Sequence, residues 1–393
     1  MQERTVDPMT GRRLLRRLYA AALEGADPEA AVRRVLARSD VASALAGARK
    51  VGVFAVGKAA ARMAAGARSV SAARRLIVLP HGHAAPGLAR REVAFSRHPE
   101  PDASSVRAAR RALHFFRGFG KGDVVLCLVS GGASSLLALP RPGLTLSDER
   151  RRVRALAASG ASILVLNRLR TSLSAVKGGR LGRATRARLV TLVLSDVPGD
   201  RAASVGSGPT VRRGRRGDVV RIVGSNRIGL DAAAREARRL GVRVARVRER
   251  LAGESRKAGA RLARLGAKLP PGTVLLAGGE TIVTLGPRPG RGGRTLELAL
   301  AAAAALEGAG GWAVLAASSD GLDGSSGAAG AWADGGTVSR ARRAGLDPEA
   351  ALARHDTHAV FAAAGDLFVT GPTGGNVGDW VFFVRNPARR RPV

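Results

Sequence analysis

Five glycine-rich loops, each closing an apolar run, constrain the fold of this chain more than any other feature. The loops are Ser-Gly-Gly-Ala-Ser-Ser (130–135), Ser-Asp-Val-Pro-Gly-Asp (195–200), Gly-Gly-Glu-Thr (278–281), Ser-Ser-Asp-Gly-Leu-Asp-Gly (318–324) and Thr-Gly-Pro-Thr-Gly-Gly-Asn-Val-Gly-Asp (370–379). The runs Val124–Val129, Leu189–Leu194, Val274–Ala277, Ala313–Ala317 and Leu367–Val369 have the near-continuous hydrophobicity of parallel strands covered on both faces. Open α/β sheets bind ligands beyond the carboxyl ends of their strands, where these loops fall. Glycine there lets backbone amides approach a phosphate, and aspartate there can hold a metal ion. Together the loops point to phosphoryl chemistry.

The chain has 393 residues, 45% of them hydrophobic, enough for two or three cores. The most apolar region, Leu296–Leu306, falls short of the roughly 20 residues that span a bilayer. The amino terminus lacks the order of a secretory signal, and the single cysteine, Cys127, sits in an expected buried strand. These features read as a cytoplasmic protein without an intramolecular disulfide framework or a membrane partner. A net charge of +35 raises the question of nucleic acid. The basic residues are nearly all arginine and are spread along the chain, with local clusters at Arg212–Arg216 and Arg389–Arg391. Aromatic residues make up only 3%, so stacking platforms for single strands are scarce and no specific nucleic-acid partner is expected.

Apolar runs and helical patterns alternate along the chain. Helices are expected at 12–23, 28–37, 105–116, 148–158, 161–169, 229–240, 254–265 and 295–306. Further strands are expected at 51–56, 76–79, 281–285 and 380–384. Lys-Leu-Pro-Pro-Gly (268–272) punctuates the sequence between a larger and a smaller α/β unit. We therefore expect domains at 1–250 and 270–393 with a cleft between them.

Lys58 follows Gly57 where the first strand gives way to a helix, and its ammonium could meet a phosphate held by amide groups. No Gly-x-x-x-x-Gly-Lys-Ser/Thr sequence is present, so a P-loop is not expected. Ser130, Gly131, Gly132 and Ser134 have the makings of an anion-binding turn. Asp196 and Asp200 read either as turn formers or as magnesium ligands. Arg170 and Lys177 lie near a glycine pair, as clamps for carboxylate or phosphate or as solvated cations. Arg294, in Gly-Arg-Gly-Gly-Arg (290–294), can stabilise charge in phosphoryl transfer. Asp320 and Asp323 fit a metal-binding or hydroxyl-orienting pair, or simple Asp-Gly turns. Asn376 and Asp379 end the last glycine loop. The six histidines give no zinc spacing, and neither a Gly-x-Ser-x-Gly elbow nor a Gly-x-Gly-x-x-Gly after the first strand is present.

Read in order, the motifs resemble those of one family. They are Gly-Lys-Ala-Ala (57–60), His-Pro-Glu-Pro-Asp (98–102), Ser-Gly-Gly-Ala-Ser (130–134), Ser-Ala-Val-Lys-Gly-Gly (174–179), Ser-Asp-Val-Pro-Gly-Asp (195–200), Ser-Gly-Pro-Thr (207–210), Gly-Gly-Glu-Thr (278–281), Gly-Gly-Arg (292–294), Asp-Gly-Leu-Asp-Gly (320–324) and Thr-Gly-Pro-Thr-Gly (370–374). The pattern is similar to the glycerate 2-kinase family with a C-terminal MOFRL domain, some members of which are labelled hydroxypyruvate reductases. The resemblance covers roughly residues 10–385. It implies a large Rossmann-like α/β/α domain, a smaller α/β domain and an active-site cleft between them. It also implies ATP- and Mg2+-dependent phosphorylation of D-glycerate at the 2-hydroxyl, giving 2-phosphoglycerate. Carried over by motif, Lys58 contacts substrate or the transferred phosphate, and Asp196 orients the hydroxyl or the metal. Arg294 neutralises charge, Asp320 and Asn376 complete the site, and Ser130–Ser134 bind substrate or phosphate. Asp196 and Asp320 are the metal-ligand candidates, and a homodimer is compatible with the pattern.

The chain also departs from that family. It has Leu-Arg-Thr-Ser-Leu-Ser (169–174) for Val-Arg-Lys-His-Leu-Ser, and Gly-Gly-Arg-Thr-Leu-Glu (292–297) for Gly-Gly-Arg-Asn-Gln-Glu. Ser-Asp-Gly (319–321) stands for Thr-Asp-Gly, and the last loop has Gly375 and Gly378 for Thr and Asn. The charged centres persist while several polar neighbours are lost. Two alternatives to the kinase follow: a hydroxypyruvate reductase, disfavoured by the missing dinucleotide fingerprint, and a non-catalytic polyanion-binding relative.

Overall fold

Apolar hexapeptides with no polar interruption can only be stable when both faces of the strand are covered, and two of them form the centre of the first sheet. Val51–Val56 (β1) and Val124–Val129 (β4) are buried at every position. The computed structural model describes residues 8–160 and 163–385. The Arg389–Arg391 cluster and residues 161–162 of the expected helix 161–169 lie outside the described residues.

The chain divides into two compact units, each built on a six-stranded sheet. The parallel-sheet unit takes Asp27–Ser225 and Gly374–Asn376. Its strands, with Arg74–Pro80 (β2), Val93–Ser96 (β3), Arg188–Ser195 (β5) and Val219–Ser225 (β6), run in the order β3-β2-β1-β4-β5-β6, all parallel. This is the doubly wound Rossmann order. Its helices are Pro28–Leu36 (α2), Ser39–Ala46 (α3), Ala60–Gly66 (α4), Ala103–Arg117 (α5), Ala133–Leu136 (α6), Leu146–Ala158 (α7) and Ile163–Leu173 (α8). One core gathers Phe54, Phe115, Phe116, Val125 and Leu189 between β1, β4, β5 and α5. Asp102 starts α5 by accepting the Ser104 N–H at 2.8 Å, and Thr145 with Asp148 forms a reciprocal cap on α7.

The mixed-sheet unit takes the described residues up to Ala26, then Asn226–Thr373 and those from Val377 onward. Its strands are Arg243–Arg246 (β7), Thr273–Gly279 (β8), Trp312–Ser318 (β9), Gly330–Ala333 (β10), Leu367–Phe368 (β11) and Asp379–Arg385 (β12), in the order β11-β10-β9-β12-β8-β7. Its helices are Pro8–Gly25 (α1), Asn226–Arg239 (α9), Ser255–Ala267 (α10), Arg294–Ala305 (α11), Thr337–Arg343 (α12), Pro348–Ala353 (α13) and Thr357–Ala363 (α14). The all-parallel reading of these apolar runs is corrected here. β12 lies antiparallel between β8 and β9, while β7 pairs parallel with β8. The expected strand at 281–285 is also absent. Ile282 makes one bridge, to Glu254, and Ile282 and Leu285 are 55% and 60% exposed. Helix α1 belongs to this unit because Tyr19 packs edge-on against Phe368 and Trp380 and donates its hydroxyl to the Ser318 carbonyl at 2.8 Å. Among the described residues no helix is long and apolar enough to cross a membrane.

Candidate functional site

In the parallel-sheet unit the strand order reverses between β1 and β4. Open α/β sheets receive ligands at such a switch point, beyond the carboxyl ends of the strands. Lys58 follows β1 there and Ser130–Ser135 follow β4. The two turns are tied together: Lys58 N–H donates to the Gly131 carbonyl at 2.9 Å, and Ala59 N–H donates to the Ser130 hydroxyl at 3.1 Å. Ser130 is buried, so its hydroxyl serves this junction. Gly57, at φ +126°, could not carry a side chain, because a Cβ would overlap Ser130 Oγ. A Cβ on Gly131 would overlap Asp196 Oδ2, so glycine is what admits the Asp196 carboxylate against the turn.

Lys58 is exposed and forms no ion pair among the described residues. His98 lies beside it. A Cβ on Gly132 would stand 3.1 Å from His98 Cδ2 and 3.3 Å from Lys58 Cγ. The half-buried His98 ring has no hydrogen-bond partner among the described residues. Burial, followed by the charges of Lys58 and His83, lowers its pKa from 6.5 to about 4. Its imidazole is therefore neutral near pH 7, with ring nitrogen available to accept a hydrogen bond.

The neighbouring turns lock onto this one. Ser134 and Ser207 hydroxyls lie 3.1 Å apart, and Gly178 N–H donates to the Ser207 carbonyl at 2.8 Å. Lys177 is turned into the protein, 2% exposed, with its ammonium 2.9 Å from Glu149 of α7. Burial drives the Lys177 pKa down, against the attraction of Glu149. The second Glu149 oxygen, Oε2, is buried without a partner. Arg170 lies close enough to depress Lys177 further and donates to Asn167 at 3.2 Å. Lys177 thus holds the 174–179 turn in place; its charge is taken up by Glu149.

The mixed-sheet unit carries a second charged cluster. Arg294 is the first residue of α11, not a loop residue. Its guanidinium binds Glu280, just beyond β8, and lies 3.2 Å from Oδ1 of Asp379, the first residue of β12. Asp379 faces Gly279 on β8 and Ser318 on β9, so three strands converge on it. Asp379 Oδ2 is buried with no partner. Burial raises the Asp379 pKa to about 7; Arg294 opposes the shift, and Asp323 and Glu280 add to it. Asp323 accepts the Leu296 N–H at 2.9 Å, capping α11 from a distant turn. Its other oxygen is orphaned and burial raises its pKa too. For Arg294, burial acts downward, but Asp379 and then Glu280 leave its pKa raised. Asp320 Oδ1 accepts from Ser318 Oγ at 2.8 Å and from Leu322 N–H at 3.0 Å.

Of the residues singled out from sequence, Lys58, Gly131, Gly132, Ser134 and Asp196 gather at the switch point of the parallel sheet. Ser130 and Lys177 support that region from within. Arg170 lies near Lys177. Arg294 and Asp320 belong to the mixed-sheet unit, while Asn376 groups with the parallel-sheet unit. Sequence reasoning passed over His98, Glu280 and Glu149, and left Asp379 without a role. His98 and Glu280 carried a signal, since they lie in His-Pro-Glu-Pro-Asp and Gly-Gly-Glu-Thr; Glu149 carried none. Among the described residues no group of three or more His, Cys, Asp or Glu is placed to hold a metal. Mg2+ in phosphoryl transfer needs only one or two carboxylates, with phosphate oxygens and water completing its shell. Asp196, set against a glycine turn beside Lys58, fits that demand.

The parallel-sheet unit thus presents an exposed lysine and a glycine turn at the switch point of a doubly wound α/β sheet. A family described as domain of unknown function DUF4147 matches residues 14–239, and the MOFRL family matches residues 273–379. A protein of Agrobacterium vitis named "Putative hydroxypyruvate reductase" is 37% identical, covering 95% of this chain and 94% of its own length. The "Glycerate 2-kinase" of Pyrococcus horikoshii is 32% identical, covering 95% of this chain and 97% of its own. The crystal structure of glycerate kinase from Thermotoga maritima superposes with a TM-score of 0.88 at 32% identity, covering 96% of this chain and all of that one. The chain belongs to the glycerate 2-kinase family with a C-terminal MOFRL domain.

Proposed function

We propose that the protein is a glycerate kinase that transfers the γ-phosphoryl group of ATP to the 2-hydroxyl of D-glycerate, giving 2-phosphoglycerate and ADP. The observation that carries this reading is the exposed Lys58, without an ion pair among the described residues, at the sheet's switch point beside Gly131, Gly132 and the Asp196 carboxylate. Phosphoryl transfer is accelerated chiefly by positioning and by stabilising charge on the moving group. Lys58 supplies that charge, and the Gly131–Ser134 turn contacts phosphate oxygens. As the glycerate 2-oxygen bonds to phosphorus, the bond from phosphorus to the bridging oxygen of ADP breaks. The neutral His98 imidazole accepts a hydrogen bond from the 2-hydroxyl and orients it, while the hydroxyl proton passes to a phosphoryl oxygen. Asp196 is assigned to Mg2+, which would screen phosphate charge when bound; Asp320 is the metal-ligand candidate carried by the mixed-sheet unit. Arg294 neutralises substrate or phosphate charge, and Arg170 and Asn376 bind the glycerate carboxylate. Ser130 and Lys177 act as positioning residues.

Reductase chemistry is the second reading, because two relatives carry that name and the strand order is the dinucleotide-binding one. Fold alone does not assign it. The turn after β1 is Gly57-Lys58-Ala59-Ala60 where a dinucleotide fold has its glycine fingerprint, and Pro80-His81 occupies the end of β2 where a ribose-binding carboxylate would be expected. ADP release from ATP with D-glycerate, set beside NADH absorbance with hydroxypyruvate, separates the two. We expect ADP release and a flat NADH trace; NADH oxidation without ADP release would overturn the kinase reading.

A further inference from the structure

The amino-terminal edge of the parallel sheet, the end opposite Lys58, holds two adjoining concavities of about 330 and 350 Å³. Lys121, Arg186, Arg188, Arg215 and Arg216 line the first; Arg183 and Arg213 join Arg186 and Arg215 in the second. All seven side chains are exposed, and none forms an ion pair among the described residues. The carboxylates in the lining are already engaged. Asp218 holds the buried Arg212 guanidinium at 2.5 Å and the Leu189 N–H at 3.0 Å; Asp123 holds Arg49 at 3.1 Å and the Gly120 N–H at 2.8 Å. Arg212 also donates to the Gly182, Thr185 and Ala187 carbonyls, which fixes the rim. Unpaired arginines occur elsewhere, as at Arg107 and Arg117 on α5, but they stand on a convex helix face. Here they surround shared hollows, where field lines concentrate and like-charge repulsion stays uncompensated until an anion enters.

We propose that this edge is a binding site for a linear polyphosphate chain, separate from the Lys58 site. Two features select that class. No aromatic side chain lines either concavity, so bases would find no stacking surface. The hollows are small and concave, which suits a thin flexible chain of phosphates over a stiff duplex. Arg186 and Arg215, common to both hollows, bridge successive phosphates, and the Arg213–Gly217 turn borders both hollows. The inference is independent of the kinase assignment.

The test is fluorescence anisotropy of end-labelled inorganic polyphosphate with the full-length protein at about 0.15 M salt. The triple variant Arg186→Gln, Arg215→Gln, Arg216→Gln is compared with a charge-matched control, Arg107→Gln, Arg117→Gln, Arg264→Gln. We expect the first to weaken binding about tenfold or more and to flatten the log–log salt dependence by about 2, with the control changing affinity less than about twofold. Circular dichroism checks folding, and Arg215→Gln with Arg216→Gln, both in an exposed turn, replaces the triple variant if it misfolds. Equal losses in both variants, or no binding by the wild type, would overturn the proposal. So would a single-stranded oligonucleotide of equal charge that binds as tightly and loses as much in the Arg186 triple variant, since nucleic acid would then be the occupant.

Discussion

Asp379→Asn probes the charge cluster of the mixed-sheet unit most sharply. Asp379 Oδ1 lies 3.2 Å from the Arg294 guanidinium, while Oδ2 has no partner. Its pKa, raised from 3.8 to about 7 by burial, makes ionisation in the folded state costly by roughly 4 kcal/mol. In the unfolded chain the same carboxyl ionises near pH 4. Between pH 4 and 7 the folded state therefore binds more protons than the unfolded state, and this group lowers stability as pH rises through that window. Asparagine keeps an oxygen for Arg294 and removes the titration. The variant should match the wild type near pH 4 and gain on it steadily to pH 7, by up to a few kcal/mol in denaturant melts. Activity should move the other way. The ionised carboxylate helps aim Arg294, so wild-type kcat/KM should rise through pH 7 as Asp379 ionises. Loss of a charge-assisted bond of about 1.5–3 kcal/mol should cost Asp379→Asn roughly ten- to a hundredfold in kcat/KM at pH 8 and abolish that limb. A variant with wild-type turnover and an unchanged limb at pH 7 would mean that Asp379 does not aim Arg294. One whose stability tracks the wild type from pH 4 to 8 would mean that burial does not raise the Asp379 pKa.

Lys58→Ala should lower turnover by about 10²–10³ while leaving the melt within about 0.5 kcal/mol, because Lys58 is exposed and has no ion pair among the described residues; near-normal turnover in steady-state assays would remove it from the site. His98→Gln should lower kcat by about 10²-fold or more with KM for glycerate little changed, and a KM effect alone would reassign His98 to substrate binding. Lys177→Ala strands the buried Glu149 carboxylate, so urea unfolding should show a loss of about 3–5 kcal/mol. A loss under about 1 kcal/mol would mean that this ion pair does not hold the 174–179 turn.

Legibility in the sequence followed burial. β1 and β4 could be read because burial on both faces leaves no polar residue to interrupt them, and β5 because Thr191 alone interrupts Leu189–Leu194. β6 contains Arg221, β7 reads Arg-Val-Ala-Arg, and β3 and β10 have four residues each, so these strands offered no comparable run. Thr281–Leu285 had the composition of a strand, yet its apolar side chains face solvent without a ladder to join. The packing of α1 on β9 and β12 depends on partners about 300 residues away, which periodicity cannot reveal. In the site, glycine loops and isolated charges were visible one by one. Their partners were not: nothing local to Lys177 announced Glu149, and nothing local to Arg294 announced Glu280 or Asp379. The His98 environment likewise arises from turns after three different strands.

The central claim is phosphoryl transfer to the 2-hydroxyl of D-glycerate. Incubation with D-glycerate, ATP and Mg2+, with enolase added and phosphoglycerate mutase left out, tests it in one cuvette. Phosphoenolpyruvate should appear in step with ADP, because enolase dehydrates 2-phosphoglycerate directly. ADP without phosphoenolpyruvate would contradict the assigned position, and no ADP from folded protein would contradict the kinase assignment itself.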